Sequence, residues 1–380
     1  MTTAIFQFAN NEWLAHPDHS ICHDDTVQLV LCFASREILA KPGIYDTVRK
    51  KFPHAQVALS STAGEIFNDR VQDHSFVAAA ITFKATTIAT AAVNIKDFSN
   101  SYDAATALVN KLPQQELAYI LVLSDGSMVN GSELVKGLNR AVDNRILITG
   151  GLAGDGSDFS ETLVGLNEQP AQGNVVAIGL YGTQLTVTHG SHGGWQTFGL
   201  EKEVTSAAGN KLFALDNKSA LEIYKKYLGP EANNLPGSAL MFPLSVIMPG
   251  STQPVVRTIL SIDNDESSMT FAGDIPPGSK VRFMKANFDM LTSAAAEAAH
   301  NTMPDKKIQP DFSLLVSCVG RKIILGLRTE EEVEAVQESL GNKTPVTGFY
   351  SYGEIAPFNE GGNCRLHNQT MTITSFYEFA

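Results

Sequence analysis

Cysteine, tryptophan and positive charge are all scarce in these 380 residues, and each shortage closes off a class of protein. The four cysteines (Cys22, Cys32, Cys318 and Cys364) stand far apart with no C-x-x-C spacing, which argues against a zinc finger or a dithiol redox pair. Cys32 and Cys318 lie within apolar runs and read as inert core thiols. Lys and Arg number 28 against 40 Asp and Glu, a net charge of −12. The chain therefore lacks the clustered cations that neutralise nucleic-acid phosphates. It has no apolar run of about 18 residues, so no segment reads as a membrane-spanning helix. Met1-Thr2-Thr3-Ala4-Ile5-Phe6-Gln7 lacks the basic start and apolar stretch of a signal peptide, and a cytoplasmic location is expected. Catalytic signatures are missing as well. There is no G-x-S-x-G elbow, and adjacent carboxylates such as Glu330-Glu331-Glu332 suit a solvated helical turn, so no enzyme is expected.

What the chain does contain is repetition. Ser61-Thr62-Ala63-Gly64-Glu65-Ile66 precedes His74 and an apolar strand, and Tyr350-Ser351-Tyr352-Gly353-Glu354-Ile355 precedes His367 and another. Upstream, Leu29 to Arg36 resembles Leu314 to Arg321, with Cys32 matching Cys318 and nearly equal spacing to the following Gly-Glu-Ile. A weaker copy runs from Tyr119 through the helix-like Glu133 to Val142 and into Ile146 to Gly156. One β–α–β unit used at least three times predicts an α+β fold: two associated domains with mixed sheets packed by helices. The two Gly-Glu-Ile turns are expected in equivalent positions.

In chain order, residues 1–25 hold His16, His19 and His23 beside acidic residues and read as a solvated loop. Gly150 to Gly156 looks like a phosphate loop but lacks the Gly-Lys-Ser/Thr ending and a following helix. Val175 to Tyr181 and Leu185 to His189 read as a hairpin through Gly182, leading into the glycine-rich Gly190 to Gly199 with Trp195. An amphipathic helix ending at Gly229-Pro230 follows a change in composition, so the domain boundary is placed near residues 196–203. The alanine-rich Ala286 to His300 reads as a closely packed helix.

These stretches carry a family resemblance over nearly the whole chain. Ser61 to Ile66, Gly150 to Asp155, Gly194 to Gly199, Gly209-Asn210, Arg257, Phe271 to Pro276, Gly320-Arg321, Thr347 to Ile355 and Leu366 to Thr370 resemble, in order, the FIST family of bacterial sensory proteins. The resemblance implies a FIST N domain over 1–198, a FIST C domain over 199–380, and small-molecule sensing, with amino acids as one ligand class. One branch that is similar in consisting of FIST alone binds haem b. It senses nitric oxide and reports to a sensor histidine kinase or a diguanylate cyclase/phosphodiesterase. That branch implies the same cofactor and partners here, with a homodimer left open.

A haem needs an axial ligand. His16, His19 and His23 fall in the expected loop, His54 follows Pro53 ahead of a strand, and His300 ends a helix. His74 and His367 occupy comparable places in the repeated unit and suit structural hydrogen bonding. His189 and His192 remain, flanking the glycine-rich loop, where backbone could approach a flat macrocycle and Trp195 and Phe198 could pack on it. His189 is preferred as iron ligand because it ends a strand, with His192 as the alternative.

Overall fold

The computed structural model describes residues 1–19, 23–235, 237–305, 308–358 and 361–379, so Cys22 lies outside the described residues. The chain adopts the expected two-domain α+β architecture, with mixed sheets packed by helices. Three β–α–β units build it, and none of them completes its own sheet. Each opens with a buried apolar strand: Leu29–Ala34, Leu117–Ser124 and Phe312–Cys318. Each then returns through a helix to a parallel partner: Gln56–Ser61, Leu147–Leu152 and Val346–Ser351. A closing strand lies antiparallel on the other side of the opening strand: Phe76–Thr82, Asn174–Tyr181 and Met371–Glu378.

The outer positions of each sheet are filled from other units. Glu65–Phe67 pairs with the third unit's Val346–Ser351, Gly353–Pro357 with the second unit's Leu147–Leu152, and Val164–Leu166 with the first unit's Gln56–Ser61. On the other flank, Thr87–Asn94 joins the second unit and Leu185–His192 the third, while Thr2–Ala9 joins the first. Three backbone bonds repeat around the ring: Ala63 N–H to Tyr350 O, Tyr352 N–H to Leu152 O and Gly154 N–H to Ser61 O. The Glu378 carboxylate fixes the remaining seam. It accepts from the Met1 ammonium at 2.9 Å and from the Lys84, Ala85 and Thr86 amides, which hold its pKa at about 2 against the opposing effect of burial.

The inner faces of the three sheets share one core, with Phe33 stacked on Phe349 (centroids 4.8 Å apart) and Phe312 on Phe376. Helices cover the outer faces: Ile44–Lys51 on the first unit, Ser101–Asn110 and Gly131–Ala141 on the second, Phe288–Asn301 and Thr329–Leu340 on the third. Several starts are set by sequence. Asn100, Asn130 and Asn287 each accept from amides of the first turn, satisfying donors that a helix leaves unpaired. Between the second and third units, an eight-stranded sheet spans Gln196–Ala208 to Lys280–Lys285 and has its own core beneath the helix Ala220–Leu228. A division at 198/199 falls inside its first strand. Among the described residues no helix is long and apolar enough to cross a membrane.

Register gives the equivalences. Glu65 and Glu354 occupy the same topological position, facing Phe349 and Gly151. Each carboxylate accepts one hydroxyl three residues upstream, from Thr62 or Ser351, and both the amide and hydroxyl of Ser75 or Thr370. In the second unit Val164 takes this place, and Asp125 accepts the Gly173 amide instead. Four expectations are corrected. Cys32 matches Leu315 rather than Cys318, because Ala34 and Ser317 are the residues paired to Phe76 and Met371. His74 matches Gln369 and Gly173, all three with positive φ (54°, 62° and 79°), and not His367. The expected hairpin does not form, since Asn174–Tyr181 and Leu185–His192 go to different sheets. Residues 1–25 are not a loop throughout, because strand exchange recruits Thr2–Ala9 and Glu12–Ala15.

Burial pushes the Glu65 carboxyl to about 7 and that of Glu354 to about 8, against the donated bonds. The folded state therefore holds protons that the unfolded chain releases near pH 4.5. Stability should decline as pH rises through that interval to about 8 and level off above it. Urea denaturation of the Glu65→Gln/Glu354→Gln double variant should show no such decline between pH ~6.5 and ~8.5. An unchanged slope would refute this assignment.

Candidate functional site

The strand Leu185–His192 lies on the edge of the third sheet, with His189 opposite Thr374 and His192 opposite Met371. Alternation sends Gly190 and His192 to one face and His189 and Ser191 to the other. Gly190 and Gly194 abut the helix Phe288–Asn301. A Cβ at Gly190 would sit 2.0 Å from Ala298 O, and one at Gly194, already at φ +71°, would sit 2.3 Å from Met290 O. Gly190 and Gly194 therefore serve helix packing, complemented by buried Ala294, Ala295, Ala298 and Ala299. Gly190, Gly193 and Gly194 also line the adjoining cavity.

Where the loop, this helix and the edge of the eight-stranded sheet converge there is a cavity of about 860 Å³. His189, His192 and Trp195 line it, together with Met290, Ser293, Glu297 and Asn301 from the helix. Val255 and Met284 come from the sheet, and Phe358, His367 and Thr370 close the remaining side. Phe198 is not brought to this cavity. It packs in the other domain's core against Phe283 and Tyr227, with Lys285 above its ring.

The histidines differ in setting. His192 Nε2 lies 2.7 Å from Asn301 Nδ2, and its Nδ1 lies 3.8 Å from Glu297, so both ring nitrogens face partners. The buried His367 donates from Nε2 to Ala356 O at 3.0 Å and lies beside the Phe358 ring. Burial, assisted by the charges of Arg257, Arg365 and His189, lowers its pKa to about 4 and keeps the imidazole neutral. Trp195 Nε1 donates to Gln369 O at 2.9 Å, tying the loop to the third unit.

Behind the wall runs a buried network that sequence reading had not placed. Arg321, fully buried, donates to Gly193 O and Leu291 O at 2.8 Å and pairs with Glu332 at 2.7 Å. Ser317 and Tyr350 also donate to Glu332. The sequence pattern alone places Glu332 in a solvated turn. Its helix instead turns this side chain inward, because Glu332, Val333, Val336 and Leu340 share the buried stripe. A basic residue within an apolar strand-to-helix junction, followed by an acid at helical spacing, was the available signal.

Among the described residues no group of three or more His, Cys, Asp or Glu could hold a metal ion. A porphyrin supplies its own equatorial nitrogens, so one imidazole beside a cavity of this size meets its requirement. To take that role His192 would have to leave Asn301.

The FIST N domain model matches residues 28–218, and the FIST C domain model matches residues 220–357. Among solved structures, a cyanuric acid hydrolase from A. caulinodans aligns over 100% of this chain and 99% of its own, at 7% identity and a TM-score of 0.37. No curated protein shows significant similarity to the chain.

His367 should stay neutral well below the value of about 6.5 typical of exposed histidines. Nitrogen-15 NMR at pH ~5.5 should find it as the Nε2–H tautomer. Because its folded pKa is depressed, its contribution to stability is complete above about 6.5 and is lost as pH falls toward about 4. An imidazolium signal at pH ~5.5 would contradict the burial argument.

Proposed function

The chain belongs to the FIST family of sensory proteins, carrying both FIST N and FIST C, and on that premise we propose that the 860 Å³ cavity is its sensory site, with haem b held through His189 and nitric oxide as the signal. The observation that carries this reading is the convergence of His189, the neutral His367 and Trp195 on one cavity whose other walls include Met284, Met290, Val255 and Phe358. When bound, haem would supply an iron at which a diatomic gas can coordinate. His189 would hold the iron from a strand paired along its length to Met371–Glu378. Trp195 would cover the macrocycle from its anchored position. Arg321 joins the loop carbonyl of Gly193 to the helices Phe288–Asn301 and Thr329–Leu340, giving the wall a rigid connection toward the molecular surface. From there a sensor histidine kinase or a diguanylate cyclase/phosphodiesterase would read the ligand state.

A second reading is favoured by one observation: His192 and Glu297 face each other across the cavity rim, among Ser191, Ser245 and Ser293. A base, an acid and hydroxyls in one wall suit a small zwitterion such as an amino acid, bound without haem.

Spectroscopy separates the two. Protein reconstituted with haem should show a Soret band that shifts on reduction and on addition of nitric oxide. His189→Ala should lose most of its haem while keeping the wild-type circular dichroism and melting temperature. Full haem content in that variant, with loss in His192→Ala, would move the ligand to His192. A wild-type protein that retains no haem would leave the zwitterion reading.

A further inference from the structure

A separate cavity of about 450 Å³ lies between the helix Gly131–Ala141 and the eight-stranded sheet, and family-signature residues without a role so far gather around it: Gly209, Arg257, Asp274, Pro276 and Leu366. Arg257 is 2% exposed. Its Nε donates to Asp274 O at 3.2 Å, and its Nη1 donates to Leu366 O at 3.0 Å and Val256 O at 3.2 Å. Among the described residues no carboxylate comes within 4.0 Å of its guanidinium. Carbonyls satisfy donors but leave the charge unneutralised, and a buried charge without a counterion is costly. The chain is nonetheless built to hold it. A Cβ on Gly273 would lie 2.9 Å from Arg257 Nε and 3.0 Å from Cζ, so the glycine of Phe271-Ala272-Gly273-Asp274 makes room for this side chain.

Two further cations border the same cavity. Arg365 is half-buried and donates to Ser251 Oγ at 3.2 Å, and Lys136 lies 3.6 Å from Asp274. Lys136, Arg257 and Arg365 thus face one carboxylate, Asp274, which Lys136 already neutralises. The excess is positive in a protein whose overall charge is −12. The remaining lining includes Val135, Met248, Pro249, Pro277 and Leu366. Burial, with Arg365 nearby and only Asp274 opposing, lowers the Arg257 pKa to about 10, which still leaves it charged at neutral pH.

We propose that this cavity is a second ligand site, which takes an organic acid through Arg257 and Arg365 and packs the acid's apolar body against Val135, Met248 and the prolines. A net anion fits and a zwitterion does not, since the cavity has no free acid to receive an ammonium group. The proposal stands independently of the haem reading.

Sodium benzoate is the probe, with benzamide as its uncharged counterpart and inorganic phosphate as an anion without an apolar body. Isothermal titration calorimetry should give saturable benzoate binding with a Kd on the order of 1–10 mM, as expected for a ligand this small. Benzamide should not saturate, and phosphate should bind at least about tenfold more weakly. Arg365→Gln should weaken benzoate about tenfold, equivalent to about 1.4 kcal/mol. His189→Ala should bind it as the wild type does. If Arg365→Gln fails to fold, Lys136→Met on the exposed rim should weaken benzoate a few-fold. Absence of benzoate binding, unchanged affinity in the folded charge variant, or tighter binding of benzamide would overturn the proposal. Phosphate binding tighter than benzoate would overturn the apolar-body assignment.

Discussion

Strand exchange around a closed ring is the constraint on which the rest of this structure depends. A short strand such as Glu65–Phe67 pairs on one edge with Arg70–Gln72 of its own unit, but its other partner belongs to the third unit. The same holds in turn for Gly353–Pro357 and Val164–Leu166. Unpaired strand edges expose amide and carbonyl groups that must find partners. The ring supplies them from neighbouring units and brings three inner faces together over one core. Most of this pairing is between residues remote in sequence, so folding must close long loops before the pairing stabilises anything.

The buried carboxylates show how the ring is fastened. Glu65 and Glu354 solve one local problem in the same way, capping the start of a closing strand after a residue with positive φ. The second unit places Val164 there and uses Asp125 from a different strand end. The position, a polar strand junction needing an acceptor, persists while the residue that fills it changes. This explains why the second unit is weak in sequence and complete in topology.

The eight-stranded sheet creates both cavities by leaning on the ring. Val255 lines each of them, so the strand Pro254–Arg257 is a wall common to the His189 cavity and the Arg257 cavity. Both also depend on the segment between Phe358 and Thr370, which contributes His367 to one and Leu366 to the other. Backbone alternation along Cys364–His367 separates these two neighbouring side chains.

By itself the sequence determined the repeated unit, its apolar strands, the alanine-rich helix that includes His300, and the equivalence of the two Gly-Glu-Ile turns. These are local signals: periodicity, composition and glycine at fixed spacing. It also led to His189, His192 and Trp195, which share one cavity, while Phe198 turned into another core. Tertiary structure alone decided which strands pair. Adjacent strands such as Asn174–Tyr181 and Leu185–His192 carry the same alternation whether they form a hairpin or join separate sheets. It also decided that Arg321 and Glu332 would be buried against each other, that Gly190 and Gly194 would face a helix, and that Arg257 and Arg365 would line one cavity. Such outcomes depend on what lies opposite a residue in space, and a linear pattern records only what lies beside it in the chain.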